Sequence, residues 1–61
     1  MLKVGDMVVV DWVDEDDREQ GIEVGTPGVI LDIVVPGGLV EVDIDGYAIH
    51  RTMFENQLVK K

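Results

Sequence analysis

Two nucleophilic residue types, cysteine and serine, are missing from this 61-residue sequence. Without cysteine the chain cannot form a disulfide framework or a thiolate metal site. The single histidine, His50, cannot build a zinc site alone, and as a general base it would have only threonine or tyrosine hydroxyls to activate. We therefore predict a protein that is not an enzyme and that binds no metal ion or cofactor.

Basic residues are also scarce. Five Lys and Arg residues stand against 13 Asp and Glu residues, which gives a formal net charge of −8 at pH 7. Binding to a polyanionic backbone depends on Lys and Arg side chains that displace counterions, so nucleic acid is disfavoured as a partner. A basic protein, or a partner with little charge, suits this surface better.

Long apolar runs are absent as well. No stretch approaches the roughly 20 apolar residues that a membrane-spanning helix requires, and the first residues lack the apolar core of a signal peptide. We expect a cytoplasmic protein without a membrane segment. Residues 1–61 are predicted to form one small domain, and a domain of this size buries only about 60% of its unfolded surface. Its stability then depends on an unusually apolar β-core or on association with another chain, including a homo-oligomer.

The residues that are present follow the alternation of β-strands. In the clearest run, Val40, Val42 and Ile44 alternate with Glu41 and Asp43, so one face is apolar and the other is polar. The predicted strands are residues 7–12, 28–35, 39–45 and 47–53, with turns at 36–38 and 45–46, a 3₁₀ turn at 54–57 and a short last strand from Leu58.

Several short motifs carry a resemblance to a known fold. They are Val4-Gly5-Asp6 with Val8 and Val10, Gly25-x-x-Gly28-Val29-Ile30, Val40 with Val42, and Phe54 with Leu58. In this order they resemble the SH3-like barrel, and within it the small KOW-like domains. The resemblance implies an all-β protein, a small five-stranded SH3-like barrel with a long acidic loop after strand 1 and a 3₁₀ turn before the last strand. Such domains serve translation factors, enzyme accessory subunits and phage proteins, so the resemblance does not imply one function.

The acidic segment VDEDDREQGIE, residues 13–23, holds six carboxylates and one base, Arg18. It does not fit a calcium-binding EF-hand loop, because Arg18 and Glu19 occupy positions where an oxygen ligand and a glycine are needed. A solvated, mobile loop is the favoured interpretation, with docking to a basic protein or weak binding of a divalent ion as alternatives. The candidate partner-binding residues in this segment are Asp14, Glu15, Asp16 and Asp17.

Four further residues are candidates for partner binding. The second strand is apolar on both faces. If Val29, Leu31 and Ile33 fill the core, Ile30 and Val34 are expected to face away from it. In the reverse arrangement Ile30 and Val34 fill the core and the other three face away. Trp12 is predicted to lie in the core or at the rim of the first strand. His50 is interpreted as a surface or interface histidine.

These features favour a non-catalytic protein-interaction or assembly module that either self-associates or serves as an accessory subunit of a larger complex. Two alternatives remain open. One is an acidic inhibitor that mimics nucleic acid on a basic partner, and the other is a KOW-like component of a nucleic-acid machine.

Overall fold

The computed structural model describes residues 2–46 and 50–61, and it contains five strands and two short helices in this part of the chain. In chain order these are β1 (Met7–Val10), α1 (Glu15–Glu19), β2 (Pro27–Val35), β3 (Leu39–Ile44), β4 (Arg51–Phe54), a 3₁₀ helix (Glu55–Gln57) and β5 (Leu58–Lys60). The first three predicted strands and the 3₁₀ turn are confirmed to within two residues. Residues 47–49 of the predicted fourth strand lie outside the described residues.

The strands form a single antiparallel sheet in the order β4-β3-β2-β1-β5. The predicted all-β class is confirmed. The two ends of the chain meet in this sheet, because β5 pairs with β1 and places Val59 opposite Val9. In the described part of the chain β4 and β5 are the edges of an open sheet, whereas the sequence led us to expect a closed cylinder.

The core lies on the inner face of this sheet. Alternation places Val8 and Val10 of β1 inward, and the same period buries Val40 and Val42 of β3. The full set of buried apolar residues is Val8, Val10, Ile22, Ile30, Val40, Val42, Ile44, Met53 and Leu58. Each such side chain stabilises the fold by about 1.5–3 kcal/mol relative to an exposed position.

Strand β2 departs from simple alternation. Its pairing with β3 shifts register between Ile30 and Asp32 and again between Ile33 and Val35. Because a bulge inserts an extra residue, it changes which face the following side chains occupy. Ile30 is 1% exposed and lies in the core, whereas Val34 is 50% exposed. The expectation that Ile30 and Val34 share one face, whether outward or in the core, is therefore wrong.

The acidic segment between β1 and β2 contains helix α1, where the sequence suggested a mobile loop. Asp14 is the N-cap: its Oδ1 accepts a hydrogen bond from the backbone N of Asp17 at 2.8 Å, and Oδ2 of Asp17 accepts one from the backbone N of Asp14 at 3.3 Å. This reciprocal pair satisfies backbone donors that a helix start leaves free. Ile22 then returns to the core and fixes the far end of the segment.

Candidate functional site

One carboxylate of the acidic segment, that of Asp17, is buried rather than solvated. Asp17 is 2% exposed. Its Oδ1 accepts hydrogen bonds from Arg51 Nη2 at 2.8 Å and from Arg51 Nε at 3.1 Å. Its Oδ2 accepts a hydrogen bond from Gln57 Nε2 at 2.7 Å. Asp17 thus joins α1 to β4 and to the 3₁₀ helix.

Gln57 extends this network to the backbone. Its Nε2 also donates to the carbonyl oxygen of Trp12 at 3.2 Å, and its Oε1 accepts from the backbone N of Phe54 at 3.0 Å. Among the described residues no buried side-chain nitrogen or oxygen lacks a hydrogen-bond partner. A fully satisfied buried network of this kind fixes one arrangement of the elements that it joins.

The electrostatics of Asp17 favour its charged form. Burial alone would raise the pKa of Asp17, but hydrogen bonds from Gln57, Arg51 and the Asp14 backbone, together with the Arg51 charge, outweigh burial and lower that pKa below its usual value. Asp17 is therefore a structural anchor, and its predicted place among partner-accessible carboxylates is wrong. Sequence patterns could not have identified Arg51 and Gln57 as its partners, because they lie 34 and 40 positions away.

The other three candidate partner-binding residues of the acidic segment are more exposed than Asp17. Glu15 and Asp16 are exposed on α1, and Asp14 is half-buried with its carboxylate used as the helix cap. Trp12 lies at the rim beyond the end of β1, where its Nε1 donates to the backbone oxygen of Asn56 at 3.0 Å. The structure therefore brings Trp12 next to the 3₁₀ helix and leaves Glu15 and Asp16 facing solvent.

His50 lies on the outer surface beside β3. Its Nδ1 is 3.5 Å from Oε1 of Glu41, and both side chains are about half exposed. Glu41 stands directly opposite Asp32 on β2 and Thr52 on β4. Among residues 2–46 and 50–61, no group of three or more His, Asp or Glu side chains is arranged to hold a metal ion.

The outer face of the sheet carries apolar side chains that sequence reasoning did not select. Met7 pairs with Val29 across β1 and β2, and Val9 pairs with Val59 across β1 and β5. Met7 is 56% exposed and Val59 is 52% exposed. We call Met7, Val9, Val29 and Val59 the outer apolar patch. The alternation of β1 contains a signal for it, since Met7 and Val9 must face away when Val8 and Val10 face the core.

A second apolar row lies at the other end of the same face. Leu39 of β3 stands opposite both Val35 of β2 and Phe54 of β4. Phe54 and Val35 are about half exposed. Between this row and the outer apolar patch lie Asp32 of β2 and Glu41 of β3, which stand opposite each other. The outer face therefore combines exposed apolar groups with negative charge.

An open groove of about 350 Å³ borders the outer apolar patch. Across the sheet its lining runs from Met7 of β1 through Val29 of β2 to Asp43 of β3, with Asp45 just beyond the end of β3. We call it the outer groove. A second, similarly open depression near Leu2 and Glu55 does not touch this patch.

No family model, no curated protein and no solved structure matches this chain. Among the described residues, no helix is both long enough and apolar enough to cross a membrane.

Proposed function

We propose that this protein is a non-catalytic protein-interaction module of SH3-like architecture, which holds another protein chain on the outer face of its sheet. The observation that carries the proposal is the outer apolar patch. Its four apolar side chains come from three neighbouring strands and lie together on the face of the sheet opposite the core. Contiguous exposed apolar surface of this kind is typical of interaction sites.

The strand arrangement supports the SH3-like part of the proposal. Strands β1 to β4 follow one another as antiparallel neighbours, and the 3₁₀ helix leads directly into β5, which returns to pair with β1. The entry motif also has a structural role, since the backbone N of Gly5 donates to the oxygen of Ile30, and the backbone N of Ile30 donates to the oxygen of Asp6. These contacts join the motif to β2, in keeping with a KOW-like assignment.

The energetics support an interaction role for a chain of this size. Covering apolar surface stabilises a complex by about 25 cal/mol for each Å² removed from water. Met7 and Val59 each leave about half of their side-chain surface uncovered. A partner that packs on the outer apolar patch would therefore supplement a core that is small by the standard of globular domains.

The state of Asp17 makes this one carboxylate a poor general acid. A general acid that works near neutral pH needs a raised pKa, which enzymes produce by burial without compensating partners. The hydrogen bonds from Gln57 and Arg51 lower the pKa of Asp17 instead. Its carboxylate stays charged and bound within the protein.

The test compares wild-type protein with the M7T/V59T double variant. Co-purification from the native host should recover a partner with the wild type and lose it with the double variant, because both substitutions reduce apolar contact on the outer face. V24T is the matched control, since Val24 is exposed but lies in the segment between α1 and β2. Light scattering across a range of concentrations measures self-association of the same three proteins. Equal recovery with all three proteins, together with a strict monomer, would overturn the proposal.

One observation favours the acidic-inhibitor alternative. Glu15, Asp16 and Glu19 are all exposed on α1, so negative charge is concentrated on one short element. A nucleic-acid mimic would bind a basic protein through these carboxylates. Its binding would be lost in an E15Q/D16N/E19Q variant and retained in M7T/V59T, which is the opposite of the result expected for the interaction module.

A further inference from the structure

The outer groove has two chemically different sides. Met7 and Val29 lie side by side, as directly opposed residues of β1 and β2, and form the apolar side. Val29 is in turn opposite Asp43 of β3, and Asp45 follows two residues later, just beyond the end of that strand, so carboxylates form the other side. A long side chain that is apolar along its stem and cationic at its head would match both sides.

The backbone geometry makes the groove a stable feature of the sheet. Gly28 brings β2 so close to β3 that a Cβ atom there would lie 2.9 Å from the backbone oxygen of Asp43 and 2.9 Å from Cγ1 of Val42. The backbone N of Asp45 donates to the oxygen of Pro27 at 3.0 Å, which secures the end of β3 against the start of β2. Both carboxylates therefore project from anchored backbone.

The two carboxylates are not used within the described part of the chain. Within residues 2–46 and 50–61, Asp43 and Asp45 have neither an ion pair nor a side-chain hydrogen bond. Lys61 also borders the groove, where its backbone N donates to the oxygen of Met7 at 2.8 Å. Two acids against one base leave the lining negative, in keeping with the net charge of −8.

We propose that the outer groove receives a lysine or arginine side chain from a basic segment of a partner protein, with the stem against Met7 and Val29 and the cationic head between Asp43 and Asp45. Apolar neighbours of that residue in the partner pack on Val9 and Val59. This inference rests on the proposed function and names its partner chemistry. Charge complementarity favours a basic partner over a second copy of this chain, because two bodies of net charge −8 repel each other.

The test starts from a random decapeptide display library selected against the purified protein. Enriched peptides should carry Lys or Arg flanked by apolar residues. Fluorescence anisotropy of one labelled peptide should then show affinity at least about fivefold weaker for the D43N/D45N variant than for the wild type, because two partly exposed charge contacts are lost. Asparagine preserves the turn chemistry of the Asp45-Gly46 pair, so this variant is expected to fold.

E15Q/D16N is the matched control, since it removes the same formal charge from α1 and should bind the peptide like the wild type. V29T tests the apolar side of the groove independently and should also weaken binding. Equal losses for D43N/D45N and E15Q/D16N would show a general effect of net charge and would overturn the inference. Enriched peptides without basic residues, or the absence of any enriched peptide, would also overturn it.

Failure of this inference can be distinguished from failure of the proposed function. If an enriched peptide perturbs amide NMR signals of Val35, Leu39 and Phe54 and binds D43N/D45N normally, the interaction role stands and the outer groove is the wrong site. If light scattering shows a dimer that M7T/V59T abolishes and no peptide is enriched, the interaction role again stands and the partner is a second copy. A strict monomer that enriches no peptide and co-purifies with nothing contradicts both.

Discussion

Arg51 donates two hydrogen bonds to a single carboxylate oxygen of Asp17, a residue 34 positions away in the chain. Both Nε and Nη2 of Arg51 donate to Oδ1 of Asp17, at 3.1 and 2.8 Å. The arginine side chain is 29% exposed and the aspartate side chain 4%. The pair therefore lies at the boundary of the core, where it holds the acidic segment against β4.

Removing the charge of Asp17 should destabilise the protein. D17N keeps the size of the side chain but weakens its bonds to Arg51 and Gln57, so we expect a loss of about 2 kcal/mol in the free energy of unfolding. Urea denaturation followed by circular dichroism measures it. The neighbouring variant D16N is the control and should change stability by less than about 0.5 kcal/mol, because Asp16 is exposed. Equal stability of D17N and wild type would show that the charge of Asp17 contributes nothing to the free energy of unfolding.

Acid should weaken the fold through the same group. The folded-state pKa of Asp17 is lowered, so its contribution is complete above the usual carboxyl pKa and is lost as the pH falls through the lowered value. We expect the unfolding free energy of the wild type to decline below about pH 5, where an ordinary aspartate in the unfolded chain begins to protonate. D17N should show a shallower decline. If the unfolding free energies of wild type and D17N fall in parallel from neutral to acid pH, the acid sensitivity comes from groups other than Asp17.

The bulges of β2 predict different effects for two aliphatic residues of that strand. I30A removes a fully buried side chain and should cost about 2–4 kcal/mol, whereas V34A alters an exposed one and should cost less than about 0.5 kcal/mol. Thermal unfolding of both variants compares them directly. Similar losses of stability in the two variants would indicate that Ile30 and Val34 lie on the same face of β2, and would contradict the register shifts.

Gly28 is required by close packing between strands. In G28A the added Cβ would lie 2.9 Å from a backbone oxygen that cannot move without disturbing β3, so we expect a loss of about 1–3 kcal/mol. G38A is the control, because the nearest atom to its Cβ would be a side-chain methyl group of Val35 at 3.3 Å, which can adjust. Denaturant unfolding should place G28A well below G38A in stability.

The charge balance predicts the response to nucleic acid. Fluorescence anisotropy with labelled RNA and DNA at low salt should show no binding, because a chain of net charge −8 cannot displace many counterions. Saturable binding that weakens steeply with added salt would favour a KOW-like role in a nucleic-acid machine over a protein-interaction module.

Much of the sheet could be predicted because its signals are local. The alternation at Val40, Val42 and Ile44 marks β3, and glycine-rich turns separate it from its neighbours. Helix α1 also had a local signal, the reciprocal Asp14 and Asp17 cap, but the density of carboxylates around it is equally typical of a solvated loop. In the candidate site, the alternation of β1 contains a signal for Met7 that was not used, while nothing local distinguishes Asp43 and Asp45 from other exposed acids.

By itself the sequence determined the first three strands, the tight turn between β2 and β3 and the negative charge, since each depends on residue types or on residues a few positions apart. Only the tertiary structure decided that Asp17 is an internal anchor and that Ile30 is buried while Val34 is exposed. The physical reason is that the role of a carboxylate depends on the donors that the fold brings to it, here from Arg51 and Gln57. In the same way, the face that a β2 side chain occupies depends on how its strand pairs with β3, which alternation alone does not specify.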